Sequence, residues 1–132
     1  LADKVTTENI HEVVSFAQEF SKKTGAVIAI TGAIDIVCNE SVAYAIYNGH
    51  KMMSSITGTG CQLSALTASF ISANSHHLLE ATVAAVCAMG LAGEIAYKRL
   101  TALDGNASYR NYIIDAIYNM TPKQLQEGAQ FQ

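Results

Sequence analysis

Charge is scarce in this sequence. Only 14% of its 132 residues are Asp, Glu, Lys or Arg and half are hydrophobic, whereas about a quarter of a typical soluble domain is charged. So lean a surface points to buried interfaces, between subunits or against further chain, rather than to a free-standing monomer. Cations are scarcer still: there are eight Lys plus Arg, the net charge is -3, and no cluster exceeds the pairs Lys22-Lys23 and Lys98-Arg99. Binding along a phosphate backbone relies on several clustered cations, which argues against nucleic acid as a partner.

Paired cysteines are missing too. Cys38, Cys61 and Cys87 are odd in number and show no CxxC spacing, so neither a disulfide framework nor a zinc site is expected and the default compartment is the cytoplasm. The opening LADKVTTENI has no apolar core of the signal-peptide kind, although an internal fragment would show none in any case. Membrane-length apolar runs are absent as well. Residues 52–79 hold no charged side chain but include Gly-Thr-Gly, many Ser and Thr, and His76-His77. The run 81–93 stops at Glu94 after 13 residues, short of the roughly 20 a span needs. Both segments read as buried helices, and no repeat, low-complexity stretch or linker divides the single domain.

Present instead is a regular succession of element signals. TTENIHEVVSFAQEFSKKTG offers capping candidates Thr6 and Thr7, an apolar stripe of Ile10, Val13, Val14, Ala17 and Phe20, and the stop signal Lys22-Lys23 with Gly25. The run AVIAIT is apolar on both parities and rich in β-branched residues, as a strand covered on both faces would be. IDIVCN and SVAYAIYN read as two further strands joined near Asn39-Glu40-Ser41. After Gly60 the period becomes helical, with Leu63, Leu66, Phe70 and Ala73 in one stripe, punctuated by Asn74-Ser75-His76-His77. A second helix, about 78–103, carries small residues (Ala84, Ala85, Ala88, Gly90, Ala92, Gly93) on several faces, which implies burial all round. A third places Tyr109, Ile113, Ala116, Ile117 and Met120 in register, and Thr121-Pro122 opens a short capped helix. The order is helix, strand, hairpin, then helices, with no further convincing strand. Such a sheet is half of one, and further residues ahead of Leu1 are expected to complete it.

The stretch ITGTGCQLSAL, residues 56–66, carries the chemistry. Glycines 58 and 60 admit backbone angles other residues resist and keep side chains away from an approaching group. Amides from Gly58 to Cys61, at the positive end of a helix dipole, suit an anion. Around a transferring phosphoryl group they would stabilise its oxygens. A glycine-rich helix start is also a plain close-packing device. Cys61 could act there as a general base or a nucleophile, or be a small packed hydrophobe. Cys38 and Cys87, inside apolar runs, read as packing residues.

These residues carry a resemblance. AITGAIDIV, followed after a hairpin by NGHKMMSSITGTGCQLSAL, resembles the C-terminal half of hydroxyethylthiazole kinase, a family of the ribokinase-like superfamily. GNASYRNYIIDAIYNMTPKQLQEGAQ is similar to that family's closing helices, so the likeness runs along essentially the whole chain. Most ribokinase-like enzymes carry aspartate where this sequence has Cys61. The resemblance implies an α/β ribokinase-like fold seen in its C-terminal part, residues 1–132 of one kinase domain whose N-terminal half is absent. It implies phosphorylation of the hydroxyl of 4-methyl-5-(2-hydroxyethyl)thiazole by ATP with Mg2+, in a cytoplasmic homotrimer with active sites between subunits. Carried over, Thr31 is the ATP contact, Gly58 the thiazole contact, Gly58, Thr59 and Gly60 the anion hole, and Cys61 the catalytic base; no residue of the chain is a metal ligand. Ala33 and Lys51 depart from the family pattern, where an acidic or polar residue and a proline are common. The family's acidic magnesium residues and its ATP-contacting arginine fall in the absent half, so these residues alone are expected to be inactive.

Two other readings compete. Cys61 with His50, His76 or His77 would suit acyl transfer, although the histidines read better as solvated loop residues. The chain could also be a non-catalytic oligomerisation or binding module, or belong to another ribokinase-like small-molecule kinase. The six tyrosines read as core or interface, Asp35 as a hairpin or hydrogen-bonded carboxylate, and Glu94 as a partner for Lys98 one turn on.

Overall fold

A computed structural model describes residues 5–132. The chain runs α1 (Ile10–Thr24), β1 (Ile28–Ile30), β2 (Asp35–Cys38), β3 (Ala43–Ile46), a 3₁₀ turn (Lys51–Ser55), α2 (Thr59–Ala73), α3 (Leu78–Arg99), α4 (Asn106–Asn119) and α5 (Pro122–Gly128). The three strands lie in the order β1-β2-β3, every pairing antiparallel, with Ile36 opposite Ala45 and Ile30. Asn39 makes the β2–β3 turn by accepting the amides of Ser41 and Val42 on its Oδ1, at 2.9 and 2.7 Å.

Alternation along β2 builds two cores, because successive side chains leave a strand on opposite faces. Ile36 faces a cluster with Ile34, Ala45 and the α1 residues Ile10, Val13 and Val14. Val37 faces the other way, onto Leu79, Val83, Val86 and Cys87 of α3. A third cluster joins Met89, Ala92 and Ala96 of α3 to Tyr109, Ile113 and Ala116 of α4. The layers are thus α1, sheet, α3, with α2, α4 and α5 packed against α3. By length and composition α3 could cross a bilayer, yet most of its residues are buried against these elements, as its small side chains predict.

Several expectations need correction. Thr6 and Thr7 do not cap α1: Asn9 precedes its first residue, and its Oδ1 accepts the Thr6 amide at 2.8 Å. Of the α1 stripe, Ile10, Val13, Val14 and Ala17 pack inward as expected, joined by the buried Ser21, but Phe20 is 49% exposed. Ser21 belongs inside because its hydroxyl is satisfied by the Ala26 carbonyl at 2.6 Å. Strand β1 is not covered on both faces, for Ala29 is exposed and Ile28 and Ile30 are half-buried. The chain's end adds a pairing that the sequence reading lacks: Tyr47 donates to the Gln130 carbonyl, and Ala45 and Gln132 exchange amide–carbonyl bonds beside a bridge between Ile46 and Phe131. Of the tyrosines, Tyr109 is fully buried but Tyr118 is 89% exposed. The α5 start does carry its cap, Thr121 and Gln124 each bonding the other's amide.

Candidate active site at the glycine turn

Gly58 adopts φ +101°, a backbone conformation that side-chain-bearing residues rarely take, and so turns the chain into α2. Its carbonyl accepts the first helical bond, from Gln62 at 2.9 Å. The amides of Thr59, Gly60 and Cys61 have no hydrogen-bond partner among the described residues. They are the unpaired donors that every helix start leaves, here without a capping side chain.

A cleft of about 830 Å³ opens beside them. Thr59 and Gly60 line it together with Thr31 from the end of β1, although 28 residues separate Thr31 from Thr59. Gly58 and Cys61 are not in its wall; Cys61 is exposed next to it, a free thiol. The reading of Cys38 and Cys87 as packing residues holds, since both are buried. Burial pushes the Cys38 thiol up and the Cys87 thiol to about 11, the latter raised further by the Asp35 charge.

The opposite wall is the segment 47–54. Gly49 and His50 lie here, and His50 is no solvated loop residue: its ring stacks on Tyr97 with centroids 3.6 Å apart and 22° between planes. Its Nδ1 accepts the Met52 amide at 3.2 Å, which puts the proton of the neutral ring on Nε2. His76 and His77 lie in the exposed α2–α3 turn. Asp35, on the cleft, accepts the Gly32 amide at 2.8 Å; burial raises its carboxyl to about 6, partly offset by that hydrogen bond. Lys51 supplies the cleft's lysine.

Glu94 does not serve Lys98. Its Oε1 accepts both the Asn48 side-chain amide at 3.0 Å and the Gly49 backbone amide at 2.9 Å. Asn48 is buried, with its Oδ1 taking the Gln130 amide at 2.7 Å and its Nδ2 also reaching the Gly128 carbonyl at 2.9 Å. Sequence reasoning missed Asn48, Gly49 and Glu94 as site-building residues. The Asn-Gly pair was a visible turn signal, but nothing local announces a partner 46 residues on.

An anion fits this donor set: three free amides at a positive helix end, with a lysine across the cleft. Among the described residues there is no group of three or more His, Cys, Asp or Glu that could hold a metal ion by itself.

Comparison with known proteins gives one consistent answer. The hydroxyethylthiazole kinase family model matches residues 3–123. Hydroxyethylthiazole kinase of Clostridium acetobutylicum is 59% identical over 98% of this chain and 48% of its own length. Hydroxyethylthiazole kinase 2 of Clostridium botulinum strain Langeland is 40% identical over 90% of the chain and 43% of its own length. The solved hydroxyethylthiazole kinase protein of Pyrococcus horikoshii OT3 superposes with a TM-score of 0.84 at 27% identity, covering 95% of this chain and 47% of that one. The chain spans about half the length of the curated relatives it matches. On this match of sequence and fold, the chain belongs to the hydroxyethylthiazole kinase family.

Proposed function

We propose that these residues form the C-terminal part of a kinase domain that transfers the γ-phosphoryl group of ATP to the hydroxyl of 4-methyl-5-(2-hydroxyethyl)thiazole. The observation that carries the reading is the run of unpartnered amides at Thr59, Gly60 and Cys61 beside a cleft shared with Thr31. Thr31 contacts ATP, Gly58 the thiazole, and Gly58 to Gly60 form the anion hole. Cys61 takes the proton as the alcohol oxygen bonds to phosphorus and the bond to the departing ADP breaks.

A thiol suffices as base because a loose, metaphosphate-like transition state needs little proton removal early on. Positioning and electrostatic stabilisation do most of the work, and preorganised amides supply it without reorganising. Mg2+ accompanies ATP, and the family resemblance puts its acidic partners in the N-terminal half of the domain. The acyl-transfer alternative loses ground because His50 is held by Tyr97 and Met52. The lean surface charge supports buried subunit interfaces; the homotrimer with active sites between subunits, working in the cytoplasm, follows from the family resemblance.

The test is an assay of the full-length protein with ATP, Mg2+ and the thiazole alcohol, following the phosphate ester by mass spectrometry. Ester formation at a rate above background is expected; ATP bound and no ester formed would refute the substrate assignment. The 132-residue chain alone is expected to form no ester, and turnover by it would overturn the need for further residues.

A further inference from the structure

The cleft wall at 48–53 rests along one stripe of α3. Gly90 leaves room for the Asn48 backbone, which a Cβ there would meet at 2.7 Å. Gly93 likewise admits the Met53 side chain. Glu94 bonds Asn48 and Gly49, and Tyr97 stacks on His50. These positions are spaced i, i+3, i+4, i+7, the neighbours on one helical face. Two are glycines that let the segment lie close, and two are side chains that grip it. Gly49 sits at φ +135°, a backbone conformation that favours glycine.

We propose that Glu94 and Tyr97 are positioning residues for phosphoryl transfer: neither is in the cleft wall, and together they splint Gly49 and His50, which are. The proposal rests on the kinase reading for its effect on rate, but not for the splint itself. The Glu94 carboxylate anchors two donors from adjacent residues, and the same Asn48 ties in the C-terminal Gln130. Removing the carboxylate leaves the half-buried Gly49 amide without its acceptor and loosens the wall there.

The experiment uses the full-length protein with Glu94→Ala, Glu94→Gln and Tyr97→Ala. Amide hydrogen exchange at Gly49 reads the splint without any substrate. Steady-state kinetics then read its consequence. Glu94→Ala is expected to speed Gly49 exchange and raise KM for ATP or the thiazole alcohol about tenfold, the loss of one charge-assisted hydrogen bond. Gln keeps an acceptor oxygen, so Glu94→Gln should restore both readouts to within about threefold of the parent. Tyr97 is 45% exposed, so its replacement spares the fold and keeps the test alive should Glu94→Ala not fold. Tyr97→Ala should raise the same KM about threefold through lost ring stacking. Unchanged Gly49 exchange in Glu94→Ala, or KM values equal to the parent in both Glu94→Ala and Tyr97→Ala, overturns the proposal. No ester from the parent protein, with Gly49 exchange responding as described, refutes the kinase reading and leaves the splint standing.

Discussion

Helices α2 and α3 are both apolar and adjacent in sequence, yet they live differently. α3 is buried on nearly every face, whereas α2 has no fully buried residue and reaches the core through the half-buried Leu63 and Leu66. Apolar content therefore does not decide burial; the layer in which a helix sits does. α3 spans the middle of the fold between the sheet and α4, and most of its residues are buried against neighbours. α2 lies at the margin, and its start is left open, with free amides and an exposed thiol. Burial is concentrated in one helix and open donors at the tip of the other.

Substitutions can break that contrast. The largest effect should follow Ile113→Ala, which empties a fully buried site against α3 and should cost about 3 kcal/mol in urea-induced unfolding; a loss under about 1 kcal/mol would deny α3–α4 its role as the main core. Next comes Gly90→Ala. The added Cβ meets the Asn48 backbone rather than a flexible tip, so a loss of about 2 kcal/mol is expected, and an unchanged melting temperature would show that the close approach is not required. Gly58→Ala at the head of α2 meets nothing within 4 Å, so only backbone strain of about 1 kcal/mol remains. A cost equal to that of Gly90→Ala would erase the distinction between the two helices.

The cleft's carboxylate offers a subtler test. Asp35 titrates at about 6 in the fold against 3.8 ordinarily, so the folded state holds its proton more tightly. The stability this contributes is full below about pH 4, is lost as pH rises through about 6, and is gone above it. Asp35→Asn keeps an acceptor for the Gly32 amide and should remove that decline. Relative to the parent, the variant should gain stability between pH 4 and 6 in denaturant titrations, and parallel pH profiles would refute the assignment.

Local signals made much of this legible. Lys22-Lys23 and Gly25 end α1 because the left-handed Gly25 returns an amide to Ser21, and Asn39 turns the hairpin with its own side chain. The glycine turn could be read because its geometry depends on the backbone of consecutive residues. What stayed hidden is long-range. Phe20 fits the apolar period of α1, but Ala17 and Ser21 are the residues α1 fully buries and the Phe20 ring stays half exposed. The Glu94 carboxylate has a tempting lysine four residues away and chooses donors 45 and 46 residues back. Gln130 and Gln132 pair with β3 across more than 80 residues, a contact that no periodicity encodes.

The most direct measurement is turnover of full-length Cys61→Ser. The thiol is exposed and outside every core cluster, so the variant should fold and bind nucleotide as the parent does. A positioned general base contributes about a hundredfold or more, and turnover should fall by that factor. Turnover equal to the parent's, at unchanged nucleotide affinity, would remove Cys61 from the reaction and contradict the account.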